Sequence, residues 1–203
     1  GYSWLNGINF KTLSKFILDK EKEIINNFPP HNDKLSCDGF TGLGSNSLTS
    51  RFNSYNLLNF KTKEIIILKK EISKTHKEFL KVLGVEIKEK IWIRCWANVL
   101  RDGQDIKPHL HAVHPYTYLG GHIAVQCNQS STVYVNPINQ INDPEILSIE
   151  NEVGKITLFQ NNIPHYSTVH KGVKERITIA FDLIWDNQFT DKTNLILLED
   201  NEV

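Results

Sequence analysis

The chain has 203 residues, of which 40% are hydrophobic and 10% aromatic, enough to form the core of one compact domain. Its 23 basic and 23 acidic residues balance, so no overall positive charge favours binding to nucleic acid or an anionic membrane surface. The longest aliphatic run, Ile65 to Leu68, is far shorter than the roughly 20 apolar residues of a membrane helix, and we therefore expect a soluble protein.

Two helices are predicted in the first half of the chain. Apolar residues at helical spacing predict the first over about 9–27, and Pro29-Pro30 ends the pattern. The second pattern runs from Ile65 to Leu83 and is followed directly by Gly84, a common helix stop. We expect both helices to pack on one face of the region that follows.

A long polar segment joins these two helices. Residues 31–56 are rich in glycine, serine and asparagine, which predicts a surface loop. Its central part, 36–54, is a candidate lid over a binding pocket, because such a segment buries little apolar area when it is open. With the helices, this loop forms a predicted supporting region over 1–90.

From residue 91 the sequence changes to β-branched and aromatic segments separated by turn residues. The predicted strands are 91–100, 105–112, 117–127, 131–136, 155–160, 165–169 and 174–185. Many closely spaced strands after two helices favour a mainly β domain, a sandwich or barrel with the helices on one outer face. We expect the β core to span 91–185 and a C-terminal tail to follow over 186–203.

The three cysteines, Cys37, Cys95 and Cys127, are odd in number and lie far apart in the sequence. This pattern fits neither a disulfide framework nor a zinc ribbon. A reducing, cytoplasmic location is the simplest expectation, with the cysteines in structural roles.

Histidines are concentrated in one part of the chain: four lie within fourteen positions, His109, His111, His114 and His122. Side chains at i and i+2 of a strand point to the same side, so His109 and His111 can offer two imidazoles to one metal ion. His165, at the start of a later strand, is the candidate for a third ligand. His114 is the alternative to His111, and we favour His111 because His114 precedes a proline near a bend.

A later strand, beginning at Arg176, carries an arginine on the same face as Thr178. An arginine that points into a barrel is an uncompensated buried charge unless an anion meets it, and a carboxylate matches its planar fork. That anion would belong to a ligand or to a nearby acidic side chain such as Glu175 or Asp182.

In their order and spacing these motifs resemble the iron(II)- and 2-oxoglutarate-dependent oxygenases, most closely the bacterial and phage branch that is related to prolyl hydroxylases. The resemblance covers about 92–185 and is carried by Trp96-Ala97-Asn98-Val99, Gly103-Gln104, Pro108-His109-Leu110-His111, Tyr118-Leu119-Gly120-Gly121, Ile163-Pro164-His165 and Glu175 to Phe181. It implies a double-stranded β-helix, a cupin-like jelly-roll, with an HxD/E…H metal triad and a later arginine for the co-substrate.

The resemblance also implies the roles of individual residues. His109, His111 and His165 would be the iron ligands, with no catalytic residue beyond them. Arg176 would pair with the distal carboxylate of 2-oxoglutarate, Thr178 would assist it, and Asn98 would line the co-substrate pocket.

Two positions depart from the family's pattern. His111 stands where most of the superfamily has a carboxylate, so the site has one negative charge fewer. Where related enzymes often place a tyrosine against the co-substrate, this chain has Ala124, and we expect His122, two residues earlier, to supply the missing hydrogen bond.

The activity that the resemblance implies is hydroxylation of an unactivated C–H bond by iron(II), 2-oxoglutarate and dioxygen, with release of succinate and carbon dioxide. The substrate would be an amino acid, a protein side chain or a small metabolite, and no nucleic acid or membrane partner is expected. Two alternatives share the histidine pattern. One is a three-histidine, cupin-type dioxygenase that does not use 2-oxoglutarate, and the other is a non-catalytic, metal-binding β-barrel.

Overall fold

The computed structural model describes residues 1–111, 114–137 and 145–199. Within these ranges the chain forms two helices, α1 (Phe10–Asn27) and α2 (Lys63–Leu83), and two short 3-10 turns, Thr49–Arg51 and Leu57–Asn59. The described strands are β1 (Tyr2–Trp4), β2 (Ile91–Leu100), β3 (Thr117–Gln126), β4 (Ser131–Val135), β5 (Ile146–Glu150), β6 (Lys155–Gln160), β7 (His165–Ser167), β8 (Arg176–Trp185) and β9 (Ile196–Glu199).

Both predicted helices are present, and their ends have local causes. The Asn9 side chain caps α1 by accepting a hydrogen bond from the Thr12 N–H at 3.0 Å. Thr62 caps α2 in the same way, and Gly84 ends it in the left-handed conformation (φ 66°). The predicted boundaries, 9–27 and 65–83, therefore agree with the structure to within two residues.

The strands form two antiparallel sheets. The larger has the order β1-β6-β3-β8-β2-β9, and the smaller has the order β5-β4-β7. A hydrogen bond of 2.6 Å between His122 of β3 and Tyr134 of β4 joins the facing surfaces of the two sheets. The space between them is the pocket described below.

The larger sheet is buried on both faces and separates the apolar core from this pocket. Ile93, Cys95, Ile177 and Ile179 of the central strands belong to one buried cluster together with Leu68 of α2. Side chains at the alternate positions line the pocket: Trp96, Asn98, Arg176, Thr178 and Asp182. The period of two along a strand thus sends apolar residues to the helices and polar residues to the pocket.

Six of the seven predicted strands are present, and the seventh, 105–112, is wrong over the residues that the structure describes. The backbone there forms a single antiparallel bridge between His109 and His165, without a continuous strand. Ala112 lies outside the described residues. A further backbone hydrogen bond, from the Ser167 N–H to the Ile106 carbonyl at 3.0 Å, holds the loop to the other end of β7.

Three strands, β1, β5 and β9, were not predicted from the sequence. Each has five residues or fewer and lies at the edge of its sheet, so its alternation is too short to recognise. β9 falls within the predicted tail, 186–203, where it pairs with β2. The Glu199 carboxylate fixes it to α2 by accepting hydrogen bonds from Ser73 and His76, both at 3.0 Å.

The segment 36–54 is only partly loop-like. Leu48 and Phe52 are buried in the core. The Arg51 guanidinium donates hydrogen bonds to the carbonyls of Ile25 and Phe28 at the end of α1. Arg51 also donates to the carbonyls of Ser45 and Ser47, so the candidate lid is fixed from Ser45 onward, which leaves 36–44 as the part that could move.

Neither helix within the described ranges combines the length and the apolar character needed to cross a bilayer.

Candidate metal centre

Three histidines converge at one end of the pocket. A ring nitrogen from each of His109, His111 and His165 lies within 4.8 Å of the others. The backbones of His109 and His165 exchange two N–H···O hydrogen bonds of 3.1 Å, and the His111 N–H donates to the Asn161 carbonyl at 3.2 Å. These bonds hold the loop that carries two of the histidines against the strand that carries the third.

Every ring in this cluster has its Nδ1 engaged in a hydrogen bond. The partners are the Lys107 carbonyl for His109 (2.8 Å), the Ile163 carbonyl for His165 (3.1 Å) and the Asp182 carboxylate for His111 (2.6 Å). All three partners are acceptors, so Nδ1 carries the ring proton. The Nε2 lone pairs are then free for a metal ion, which is the arrangement that metal-binding histidines usually have.

Burial keeps two of these rings neutral. Burial and then the neighbouring His111 lower the pKa of His109 to about 4. The pKa of His165 is lowered well below its usual value, chiefly by burial and then by His109. A neutral imidazole is the form that binds a divalent cation, so His109 and His165 are ready to bind metal at neutral pH.

His114, the alternative second ligand, lies apart from the cluster. Its Nε2 faces the Asp191 carbonyl at 3.2 Å, and its Nδ1 accepts a hydrogen bond from the Tyr116 N–H at 3.2 Å. Both ring nitrogens are thus engaged elsewhere, and the geometry favours His111.

Arg176 lies at the base of the same pocket and is 2% exposed. Its Nε donates a hydrogen bond of 3.0 Å to the Ser130 hydroxyl, whereas its Nη1 is buried without a partner. Burial lowers the pKa of Arg176 to about 10, so the guanidinium is charged at neutral pH. A buried cation with an unused N–H group is costly unless an anion binds to it.

The acidic side chains considered as partners of Arg176 do not fill this role. Asp182 is hydrogen-bonded to His111, and no carboxylate among the described residues forms an ion pair with Arg176. The pocket therefore has an open position for the anionic group of a ligand.

Asn98 and Thr178 face each other across β2 and β8 in the pocket wall. The side-chain Oδ1 of Asn98 accepts a hydrogen bond of 2.7 Å from the Thr49 hydroxyl. The side-chain Nδ2 of Asn98 lies 3.5 Å from the Thr178 hydroxyl. Thr49 comes from the turn that ends the candidate lid. The pocket wall thus connects the sheet to the supporting region.

His122 also lines the pocket, beside Arg176. Burial, together with the charge of Arg176, lowers the pKa of His122 to about 3, so its ring is neutral. Its Nε2 lies 2.6 Å from the Tyr134 hydroxyl, and its Nδ1 is buried without a partner. When the Tyr134 hydroxyl donates to Nε2, Nδ1 carries a proton that a ligand can accept in a hydrogen bond.

The first part of the candidate lid borders the pocket. Asp38, Gly39 and Thr41 are among the lining residues. The Asp38 carboxylate accepts hydrogen bonds from the Ser36 hydroxyl and the Gly44 N–H, which order the loop locally. The Thr41 carbonyl accepts a hydrogen bond of 2.8 Å from the Lys107 N–H, two residues before His109.

Sequence reasoning did not identify Thr49 and the role of Asp182 in the pocket wall, nor Ser130 and Tyr134, which bond to the pocket residues Arg176 and His122. Asp182 had a detectable signal, because it lies on the same strand face as Arg176 and Thr178. The others come from loops or from the smaller sheet, where no local pattern indicates which way a side chain points.

Comparison with protein families gives one match. Residues 94–182 match the family described as "Putative 2OG-Fe(II) oxygenase". This range contains all three clustered histidines and Arg176. No curated protein sequence matches the chain.

Solved structures show a similar fold at low sequence identity. A prolyl-4-hydroxylase from Pseudomonas putida has a TM-score of 0.59 and 9% identity, with 91% of each chain covered. A Trichoplax adhaerens prolyl hydroxylase, solved with a peptide fragment of the hypoxia inducible factor oxygen degradation domain, has a TM-score of 0.51 and 14% identity, over 91% of this chain and 83% of that one.

A third structure is an oxidoreductase of the 2OG-Fe(II) oxygenase family from Burkholderia pseudomallei, with a TM-score of 0.49 and 16% identity. The match covers 63% of this chain, which spans 60% of the length of that protein. The two prolyl hydroxylases confirm the predicted double-stranded β-helix with helices on one side.

Proposed function

We propose that the protein is an iron(II)- and 2-oxoglutarate-dependent dioxygenase, because residues 94–182 match the family described as "Putative 2OG-Fe(II) oxygenase". It hydroxylates its substrate and releases succinate and carbon dioxide. One observation carries the proposal: a cluster of three histidines and a buried arginine whose Nη1 has no hydrogen-bond partner among the described residues share a single pocket.

In this proposal His109, His111 and His165 hold iron(II) through their Nε2 atoms. The residues fit the metal because each Nδ1 already has an acceptor, which fixes both the ring orientation and the tautomer. Bound iron(II) supplies the redox chemistry with dioxygen, and the protein supplies orientation and shielding from water.

Arg176 binds the distal carboxylate of 2-oxoglutarate through its free Nη1. Because the site is buried, this charge-assisted hydrogen bond is weakly screened by water. Thr178 and Asn98 complete the polar wall, and His122 offers its Nδ1–H as a further neutral donor. The Nη1 group of Arg176 and the Nδ1 group of His122, which have no hydrogen-bond partner among the described residues, thereby gain partners.

The substrate binds at the metal end of the pocket, which has aromatic walls. The Trp96 and His111 ring centroids lie 5.6 Å apart, and Phe52 contacts the other side of Trp96 with a centroid distance of 5.7 Å. Leu110, between two of the ligands, is 45% exposed at the mouth. These surfaces suit an amino acid, a protein side chain or a small metabolite with an apolar C–H group.

A cytoplasmic location fits the chemistry of the cysteines. Cys37, Cys95 and Cys127 are all free in the structure, and Cys37 is exposed. An exposed free thiol persists in a reducing compartment.

The all-histidine donor set favours one alternative, a three-histidine dioxygenase that does not use 2-oxoglutarate. The two functions differ in the role of Arg176, which in the alternative binds a carboxylate of the substrate itself. Consumption of oxygen with a thiol substrate and without 2-oxoglutarate would support the alternative.

Anaerobic titration with iron(II) and 2-oxoglutarate tests the proposal directly. We expect a visible metal-to-ligand charge-transfer band that appears only when both are present. Iron(II) binding without this band at any 2-oxoglutarate concentration would refute the use of 2-oxoglutarate. Absence of iron binding would refute the metal centre as well.

A further inference from the structure

His111 has a different environment from the other two clustered histidines. The Nδ1 atoms of His109 and His165 meet backbone carbonyls, whereas that of His111 lies 2.6 Å from a carboxylate oxygen of Asp182. Both side chains of the His111–Asp182 pair are 3% exposed. The buried carboxylate of Asp182 therefore lies one hydrogen bond behind His111. Position 111 is the ligand position at which most of the superfamily has a carboxylate.

The surrounding structure is shaped for this contact. Asp182 pairs with Gly120 across β8 and β3. A Cβ atom at position 120 would stand 2.8 Å from His111 Nδ1 and 2.7 Å from Phe159. Only glycine leaves the His111 ring the room to reach Asp182.

A buried cation stands on the other side of the carboxylate. Arg94 pairs directly with Asp182 across β2 and β8, and it is 4% exposed. Its Nε and Nη1 have no hydrogen-bond partner among the described residues. Burial lowers the pKa of Arg94, and the nearby carboxylates of Asp182 and Asp191 oppose this lowering.

From these contacts we propose that Asp182 is a positioning residue for the metal centre, which supplies through His111 the negative charge that a carboxylate ligand would supply directly. The inference rests on the proposed function of the cluster. A carboxylate behind a ligating histidine fixes the proton on Nδ1, orients the ring and makes Nε2 a stronger donor. Asp182 does this for the one ligand position where the chain departs from the HxD/E pattern.

Metal affinity tests the proposal without any need for turnover. Cobalt(II) is titrated into the full chain, and binding is followed by calorimetry and by the visible absorption of the bound ion. Asp182→Asn should weaken binding by about 10- to 100-fold, the usual effect of losing such a partner. Asp191→Asn is the control, because Asp191 also lies near Arg94 but, among the described residues, contacts none of the clustered histidines. The cobalt affinity of Asp191→Asn should equal that of the unaltered protein.

The decisive comparison repeats Asp182→Asn in a His111→Asp background. In His111→Asp the position supplies its own carboxylate and no imidazole remains for Asp182 to orient. Asp182→Asn should therefore change cobalt affinity by less than about threefold in this background, against about 10- to 100-fold when His111 is present. The effect of the substitution is thus confined to the protein that carries His111.

A merely structural role for Asp182 predicts weaker binding in both backgrounds, and this result would overturn the proposal. Unchanged affinity of Asp182→Asn would also overturn it, while leaving the proposed function intact. Absence of cobalt binding by the unaltered protein would instead refute the metal centre itself, and the inference with it.

Thermal unfolding of each variant shows whether it is folded. Should Asp182→Asn not fold, Gly120→Ala carries the same test, because its methyl group displaces the His111 ring from Asp182. Full cobalt affinity in folded Gly120→Ala would overturn the proposal, because the His111 ring would then bind metal without Asp182 behind it.

Discussion

Arg176→Ala removes a buried positive charge from the pocket. In the described part of the chain this guanidinium meets no carboxylate, and its Nη1 has no hydrogen-bond partner. Truncating one partner of a buried, hydrogen-bonded charge pair costs about 2–5 kcal/mol. At about 1.4 kcal/mol for each factor of ten, 2-oxoglutarate binding should weaken by about 30- to 5000-fold. The upper part of this range is expected, because the Arg176 side chain is 2% exposed and water cannot replace it.

The same substitution should have little effect on the stability of the ligand-free protein. Among the described residues Arg176 forms one hydrogen bond, to Ser130, and its buried charge has no acidic partner. The loss of that bond, about 1 kcal/mol, is offset by removal of the unpaired charge. Arg176→Ala therefore separates ligand binding from folding, and iron(II) binding should survive.

The assay compares the two proteins by thermal unfolding and by the charge-transfer band under anaerobic conditions. At a 2-oxoglutarate concentration 100 times its Kd, the unaltered protein gains about 2.7 kcal/mol of stability, whereas Arg176→Ala should gain almost none. Arg176→Lys should recover binding only in part, because an ammonium group lacks the planar fork. Binding of 2-oxoglutarate by Arg176→Ala within threefold of the unaltered protein would refute the assignment.

Three further predictions concern the cluster and the loop. His109→Ala and His165→Ala should each abolish stoichiometric iron(II) binding and leave the fold intact, whereas His114→Ala should bind iron(II) normally. Calorimetry measures iron(II) binding by each variant, and loss of binding in His114→Ala would contradict the assignment. Because burial lowers the pKa of His109 to about 4, the unfolded chain binds more protons than the folded one between about pH 6.5 and pH 4. The free energy of unfolding of the metal-free protein should thus fall as the pH drops through this window, and His109→Gln should flatten the slope in denaturant titrations. In the free protein, the amide hydrogens of 36–44 should exchange faster than those of 91–100, and their exchange should slow when substrate binds. Slow exchange without substrate would show a fixed loop.

The elements that could be predicted from the sequence are those whose signal is local. The helices follow from apolar spacing and from caps at Asn9 and Gly84, all within a few residues of each end. The same holds for β8, where strict alternation sends Arg176 and Thr178 to one side and Ile177 to the other. These patterns are dictated by backbone geometry, which depends little on the rest of the chain.

The predicted strand 105–112 fails for the opposite reason. Its alternating residues fit a strand, yet the smaller sheet offers it only the short edge of β7, and within the described residues its backbone bonds to β7 only at Ile106 and His109. The number of backbone hydrogen bonds that a segment forms depends on the length of its partner. No property of the segment itself reveals this length.

By itself, the sequence determined which donors are available: two histidines two residues apart, a third histidine before the last long strand, and an arginine on that strand. Only the tertiary structure decided how they act. It brought His165 to His109 across some 55 positions of sequence, left Arg176 without an acidic partner and placed Asp182 against His111. The physical reason is that local periodicity fixes the direction of a side chain along its own strand, whereas its charge partner comes from a distant segment whose position only the packed sheets define.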